Sequence, residues 1–355
     1  MSKELKELRE KIDDIDKRIV KLLNERAKLS KKVGDVKREK SIEIIDFSRE
    51  KEVYRKVISY SEKEISDEDL ISIYREIIAS SRKLQKCYTV SVLGPEGTFS
   101  HIVFRKFFGN NTNCKFTENI KEIFKDIAVK NSKFGIIPVE NSVEGSISQS
   151  LDYLSEFDVK VWAELHLKIS FNFVSFQKDI SKIRKIYSHP HAIAQCRNFI
   201  EKNFFDAEII ELSSTSSGIK FVKEDLSSGA IVSPFAGEIY KIPVIFENIE
   251  DNPNNSTRFF VISDVENKLK KGEKTSIIFA VSHKPKSLLK ALEVIAKFNL
   301  NMCKLQSRPL KGIPWEYMFF VDIEGEISDE FLKELQDKTT YLKYLGTYPV
   351  EKILL

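Results

Sequence analysis

Apolar residues in the first quarter of the chain recur at helical steps. Leu5, Leu8, Ile12, Ile15, Ile19, Leu22, Leu29, Val33 and Val36 fall mostly three and four residues apart, with no proline among them. That spacing predicts one long amphipathic helix. A second helix is predicted over 47–60, a polar break over 61–66, and a third helix from there to about 86, with Asp67 as its cap. Three helices, one roughly 50 Å long at about 1.5 Å per residue, cannot bury their apolar stripes alone. A second copy with interlocked helices is the expected remedy.

From Thr89 the period changes. Residues 89–93 read as a strand that ends in Gly94-Pro95-Glu96-Gly97-Thr98, and further strands are predicted near 134–139, 160–175, 183–188, 207–212, 229–233 and 257–262. Helical stretches separate most of them, which implies an α/β domain. About 175 residues is large for one sheet, so two lobes with a ligand cleft between them are expected. A charged linker, 266–274, carries Gly272. Beyond it the predicted order is strand 276–282, helix 287–298, strands 303–309 and 317–323, helix 329–338 and strand 343–348. That βαββαβ order is the ferredoxin-like plan.

Composition narrows the function classes. The 355 residues carry 57 basic and 53 acidic side chains, a net charge of +4. Such balance excludes the lopsided basic face of a nucleic-acid binder but leaves cations for small anions. No apolar run reaches the roughly 18 residues of a membrane span, and the N-terminus has no apolar signal segment. Cys87, Cys114, Cys196 and Cys303 are scattered, so reduced thiols and a cytoplasmic location are expected.

Candidate chemistry starts in the helices. Arg26 and Lys37 are eleven residues apart, about 20° of rotation, and share a face. Asp46, Arg49 and Glu50 stand at i, i+3 and i+4, and Ser81 and Gln85 at i and i+4. By pattern alone a solvated, charge-paired helix face is the better explanation. The runs Leu8-Arg9-Glu10-Lys11-Ile12, Leu22-Leu23-Asn24-Glu25-Arg26 and Val33-Gly34-Asp35-Val36-Lys37, with Asp46-x-x-Arg49-Glu50 and Ser81-x-x-x-Gln85, resemble the all-helical chorismate mutases. The resemblance implies a cofactor-free pericyclic rearrangement of chorismate to prephenate. Arg9 (from the partner subunit), Arg26 and Arg49 would surround the carboxylates, with Ser81 adding a hydrogen bond. Lys37 and Gln85 would donate to the ether oxygen, and Glu50 with the backbone near Asp46 would receive the ring hydroxyl.

Four clusters in the next segment sit at strand ends: Gly94 to His101, Pro138-Val139-Glu140-Asn141-Ser142-Val143-Glu144-Gly145, Ser188-His189-Pro190-His191-Ala192-x-x-Gln195-Cys196, and Asn255-Ser256-Thr257-Arg258-Phe259-Phe260. Together they resemble the prephenate dehydratases. The resemblance makes Thr257 the essential hydroxyl, Asn141, Ser188 and Gln195 polar active-site partners, and Arg258 a contributor to anion binding or cleft structure. Thr98 and Ser100, at a helix start, would suit a substrate carboxylate. His191 stands where the family usually has an uncharged residue such as Gln, and with no third ligand near His189 and His191 no metal site is expected.

The last segment resembles an ACT regulatory domain through Gln306-Ser307-Arg308-Pro309, Trp315-Glu316-Tyr317 and Leu345-Gly346-Thr347-Tyr348-Pro349. The resemblance implies L-phenylalanine as an allosteric inhibitor, with Ser287, Leu288, Gln306, Ser307, Arg308 and Pro309 at the regulatory site. Lys286-Ser287-Leu288-Leu289 replaces the family's Gly-Ala-Leu-Val, and Gln306 replaces its Glu. The expected protein is therefore multidomain: an all-α three-helix mutase domain over 1–88, a two-lobed α/β dehydratase domain over 89–265, and a ferredoxin-like α+β ACT domain over 275–355. It would act on chorismate and prephenate without cofactor or metal, as a homodimer or higher homo-oligomer, with no nucleic-acid or membrane partner. Two other readings fit the architecture: a dehydratase with an inactive helical dimerisation arm, and a non-catalytic amino-acid-sensing binding protein.

Overall fold

The computed structural model describes residues 3–40, 42–267, 272–309 and 317–353. The chain divides into two compact units, residues 1–88 with 105–113, and residues 89–104 with 114–355.

The first unit contains α1 (Lys3–Glu39), α2 (Phe47–Ser59) and α3 (Asp67–Gln85). Asp46 caps α2, its side chain accepting the Arg49 amide at 2.9 Å. Ser66 rather than Asp67 caps α3, its hydroxyl accepting the Asp69 amide at 3.0 Å. The expectation misplaced the cap by one residue because Ser and Asp stand side by side and both serve well. Contacts from α1 to α3 pair Arg26 with Ser81 and Ser30 with Gln85. Both pairs keep the same offset along the chain, so the two helices run parallel. Gly34 lets them approach: a Cβ there would lie 2.8 Å from Gln85 Cγ. The nine apolar residues of the α1 stripe remain 41% to 63% exposed.

The second unit opens with β1 (Thr89–Leu93), α4 (Phe99–Phe108, whose last turn belongs to the first unit), β2 (Asn113–Thr117), α5 (Ile120–Ala128), β3 (Phe134–Asn141), β4 (Gly145–Ser146), α6 (Ser148–Glu156) and β5 (Lys160–Lys168). The chain then enters a second lobe of β6 (Asn172–Val174), β7 (Lys185–Ser188), α7 (Pro190–Gln195), α8 (Arg197–Asn203), β8 (Glu208–Glu211), α9 (Gly218–Glu224), β9 (Ser228–Val232), α10 (Pro234–Tyr240) and β10 (Val244–Phe246). It returns through β11 (Ser256–Ser263), then forms β12 (Lys274–Ala280), α11 (Ser287–Lys297), β13 (Met302–Pro309), β14 (Tyr317–Glu324), α12 (Asp329–Lys338), β15 (Tyr341–Tyr348) and β16 (Val350–Ile353).

Three sheets result, with strand orders β16-β5-β11-β3-β1-β2 (β4 beside β3), β10-β6-β9-β7-β8 and β13-β14-β12-β15. The strand expected over 160–175 is two strands in different sheets, because the chain crosses between lobes at Ile169–Phe171. Sequence periodicity missed β2, a half-exposed strand at a sheet edge, and β16, which pairs in parallel with β5. The third sheet has the ferredoxin-like order, and one of its faces is buried. Phe260 and Ile262 of β11 share a single apolar core with Ile278, Phe320 and Tyr348. Of the expected linker, residues 268–271 lie outside the described residues, as do Trp315 and Glu316.

Candidate active sites

Polar residues of α1 and α3 meet along the groove that Gly34 permits. Arg26 Nη1 donates to Ser81 Oγ at 2.5 Å, and Gln85 Nε2 donates to Ser30 Oγ at 2.9 Å. Lys37 Nζ donates to the Ile44 carbonyl at 2.7 Å. Ser81 is buried and Arg26, Ser30, Lys37 and Gln85 are half-buried, so none of them stands in bulk water. Arg26 and Ser81 line a cavity of about 360 Å³ with Leu23, Ala27 and Ile77.

Other residues expected there sit outside that cavity. Asp46 is occupied as a helix cap, and the exposed Arg49 pairs with Glu52 at 2.7 Å. Glu50 faces Arg82, 3.6 Å from its Nε, where a ring hydroxyl was expected. Arg82 was not singled out in the sequence, although it is a lone charge on the buried face of α3 with Ile78 and Ala79. Burial would depress its guanidinium, but the charge of Glu50 with Tyr88 and Tyr54 drives it above its ordinary value. Arg9 is exposed on α1, 17 residues before Arg26. That is about 25 Å along the helix, too far for the same chain's Arg26 site.

In the second unit a cleft of about 410 Å³ opens between the first two sheets. Its walls are the ends of strands: Leu93 at the end of β1, Asn141 at the end of β3, His189 after β7, Ser213 beyond β8, and Thr257 and Phe259 from β11. This is where α/β sheets collect ligands. Thr98, Ser100 and Gln195 also line it. The turn that carries Thr98 needs Gly97, whose φ is +84° and whose carbonyl accepts the Ser233 hydroxyl at 2.6 Å.

Thr257 and Asn141 are register partners on antiparallel strands, and Asn141 Nδ2 donates to Thr257 Oγ1 at 3.0 Å. The same amide donates to Asn255 Oδ1 at 2.8 Å, Asn255 Nδ2 donates to Gln195 Oε1 at 2.6 Å, and Gln195 Nε2 donates to Glu144 Oε1 at 2.8 Å. Glu144 Oε2 in turn lies 2.6 Å from His191 Nδ1. Glu144 and Asn255 stand within the sequence motifs without a signal of their own; only the fold reveals that they close this chain of amides. Among the described residues no group of three or more His, Cys, Asp or Glu could hold a metal.

Two expected cleft residues point elsewhere. Ser188 is fully buried and donates to the Ile231 carbonyl at 2.7 Å, tying β7 to β9. Arg258 follows Thr257 on a strand, so pleating turns it to the opposite face. There it bonds Glu140 at 3.2 Å, Glu164 at 2.6 Å and Asp322 of β14 at 2.5 Å. Burial would lower its affinity for a proton, yet Asp322 and Glu164 raise it. Burial would likewise push Glu164 up, but the His166 hydrogen bond and the charges of Arg258 and Lys274 hold it down at about 2.

In the third sheet's domain, Ser287 and Leu288 line a cavity of about 400 Å³ with Val281, Pro285, Tyr317 and Phe319. Lys286, just before α11, takes φ +69°, a region in which glycine is at home. Ser307 and Pro309 pair in register with Phe319 and Tyr317. None of Gln306, Ser307, Arg308 and Pro309 is among the residues that line the cavity. Gln306 accepts from Ser146 at 3.4 Å, and Arg308 grips Asp152 at 3.0 Å and Ser148 at 2.9 Å on α6. Alternation along β13 separates these two pairs of side chains.

Residues 90–267 match the prephenate dehydratase family and residues 8–86 the type II chorismate mutase family. A bifunctional chorismate mutase/prephenate dehydratase from Aquifex aeolicus is 40% identical, covering 98% of this chain and 98% of its own length. Among solved structures, prephenate dehydratase from Staphylococcus aureus is 30% identical with a TM-score of 0.64, covering 74% of this chain and 99% of that one. A prephenate dehydratase from Arthrobacter aurescens in complex with L-Phe shares the fold, with 24% identity and a TM-score of 0.67 over 74% of this chain and 90% of that one.

Proposed function

This chain belongs to the bifunctional chorismate mutase/prephenate dehydratases of phenylalanine biosynthesis, and from that premise we propose how its residues divide the work. Residues 1–88 carry the mutase, 89–265 the dehydratase and 275–355 an ACT regulatory domain, in a cytoplasmic homo-oligomer.

The mutase step moves no proton and needs no nucleophile. Its barrier falls when the reactive conformer is held and when charge building on the ether oxygen is stabilised. Arg26 and Ser81 hold a carboxylate and Lys37 and Gln85 donate to the ether oxygen, while Asp46, Arg49 and Glu50, engaged with the α2 cap, Glu52 and Arg82, support the helices from outside the cavity. Arg9 reaches the site from a second copy; its distance from Arg26 along α1 supports this, as does the uncovered apolar stripe beside it.

The dehydratase step breaks the bond from the ring to its carboxylate. The released electron pair moves through the ring and expels hydroxide, which takes up a proton to leave as water. Thr257 donates to the departing oxygen. The observation that carries this reading is the hydrogen bond from Asn141 to Thr257 Oγ1 at the cleft: a hydroxyl that accepts an amide N–H has its own proton aimed elsewhere and is a stronger donor. Thr98, Ser100 and Gln195 bind around it. Arg258 supports the strand from behind rather than touching substrate.

L-Phenylalanine inhibits from the cavity at Ser287 and Leu288, a reading supported by the related fold that carries L-Phe. Arg308, gripping α6 next to cleft residues Ile147 and Gln149, connects that domain to the dehydratase.

One coupled assay tests the division. Fed with chorismate, Thr257→Ala should accumulate prephenate and form no phenylpyruvate, Lys37→Ala should consume no chorismate yet dehydrate added prephenate, and phenylalanine should slow the wild type. Phenylpyruvate formation by Thr257→Ala at the wild-type rate would remove the dehydratase assignment. A fully active Lys37→Ala would leave the helices as a dimerisation arm.

A further inference from the structure

Prephenate is a dianion, yet no lysine or arginine is among the described residues that line the cleft. Its charged and titratable lining groups are Glu118, Glu144, His189 and His191. Arg258, the nearest arginine in sequence to Thr257, is turned away onto three carboxylates. With both imidazoles neutral, the cleft would meet a dianion with two carboxylates and only neutral donors.

The two histidines are not equivalent. His189 is half-buried, and its Nδ1 accepts the His191 backbone amide at 3.2 Å. Burial and the neighbouring His191 push His189 below its ordinary value, against the opposing pull of Glu144 and Glu211. It is therefore a neutral acceptor. His191 is 65% exposed and directs Nδ1 at Glu144 Oε2, 2.6 Å away. Glu144 is itself fixed through Gln195, Asn255 and Asn141 to Thr257. The imidazole is thus aimed by the same network that aims the hydroxyl, and Nε2 is left for a ligand.

Charge arithmetic along the reaction says which carboxylate it meets. The ring carboxylate departs as neutral CO2, so a cation bound to it would stabilise the reactant more than the transition state and slow the step. The carboxylate of the pyruvyl side chain keeps its charge from substrate to product. A cation there lowers KM and leaves kcat alone. We propose that His191, oriented by Glu144, is the anchor for the pyruvyl carboxylate of prephenate, donating to it from Nε2. This rests on the dehydratase reading of the cleft. The titratable groups against the ring are Glu144, 2.6 Å from Nδ1, and His189, whose ring centroid is 4.8 Å away; Glu118 lines the same cleft.

His191→Gln keeps a hydrogen-bonding side chain without the imidazole. Its KM for prephenate should rise about tenfold over wild type with kcat within about twofold. His191→Lys, which supplies a cation at the same place, should restore a low KM. A kcat near wild type shows that each variant's cleft is folded. An unchanged KM in His191→Gln overturns the proposal. So does a variant whose kcat falls while its KM holds, since the ring would then act on the reacting atoms. Should Thr257→Ala keep its dehydratase activity, the cleft assignment itself fails, an outcome distinct from either.

Discussion

The hydrogen atom on Cα of residue 34 sets how closely α1 and α3 approach. A larger side chain would meet Gln85 Cγ and Cβ, and the whole residue lies on α3's last turn where it cannot step aside without shifting the helix. Gly34→Val should therefore separate Arg26 from Ser81 and Gln85 from Ser30, with an overpacking cost of about 1–3 kcal/mol. Expected is a chorismate-consumption rate at least about tenfold below wild type, since roughly 1.4 kcal/mol in a barrier is a factor of ten. Circular dichroism and prephenate turnover should be unchanged. An undiminished mutase rate would show that close approach serves packing alone. At this scale the types of side chain were legible: Arg26, Lys37, Ser81 and Gln85 stand at helical spacings. What Glu50 faces was not, because Arg82 comes to it from another helix.

Strand β11 does two jobs on its two faces. Thr257 and Phe259 line the cleft, while Arg258 and Phe260 face the third sheet. The resemblance put Thr257 at the cleft; strand alternation then excludes Arg258 from it, and that could have been read from the period of two. The carboxylates that receive Arg258 could not, since Glu140, Glu164 and Asp322 lie on three different strands. Their titration is measurable. Glu164 is held at about 2 in the fold, below an ordinary glutamate near 4.3. A depressed carboxylate stabilises the fold above its unfolded pKa and loses that contribution as pH falls toward the folded one. Wild-type stability attributable to Glu164, on the order of 3 kcal/mol, should disappear between about pH 4.5 and 2. Glu164→Gln should show a flatter acid limb in urea melts over that window, and an identical limb would contradict the pairing.

Over the described residues, the α1 stripe is an extended apolar surface left uncovered. Its apolar residues stay 41% to 63% exposed along a helix of 37 residues, which is about 55 Å. Exposed apolar area on that scale marks an association surface. A second copy laid along α1 would cover it and bring Arg9 toward another chain's Arg26. Ile15→Asp combined with Ile19→Asp should yield a smaller species in sedimentation and lose mutase activity, while the dehydratase cleft, built within the other unit, continues to turn over. Retained association with full mutase activity would place the interface elsewhere.

Periodicity alone determined the helices and the ferredoxin-like order, because those depend on residues a few steps apart. The local motifs likewise brought Asn141, Gln195 and Thr257 forward as partners. Tertiary structure decided everything that joins distant segments: the amide network from Thr257 to His191, the burial of Ser188 against β9, the return of β16 to the first sheet, and the turning of Arg258 onto Asp322. Each of these pairs a group with a partner far along the chain. Local spacing carries no record of which partner a buried polar group will find, and only the packed fold supplies one.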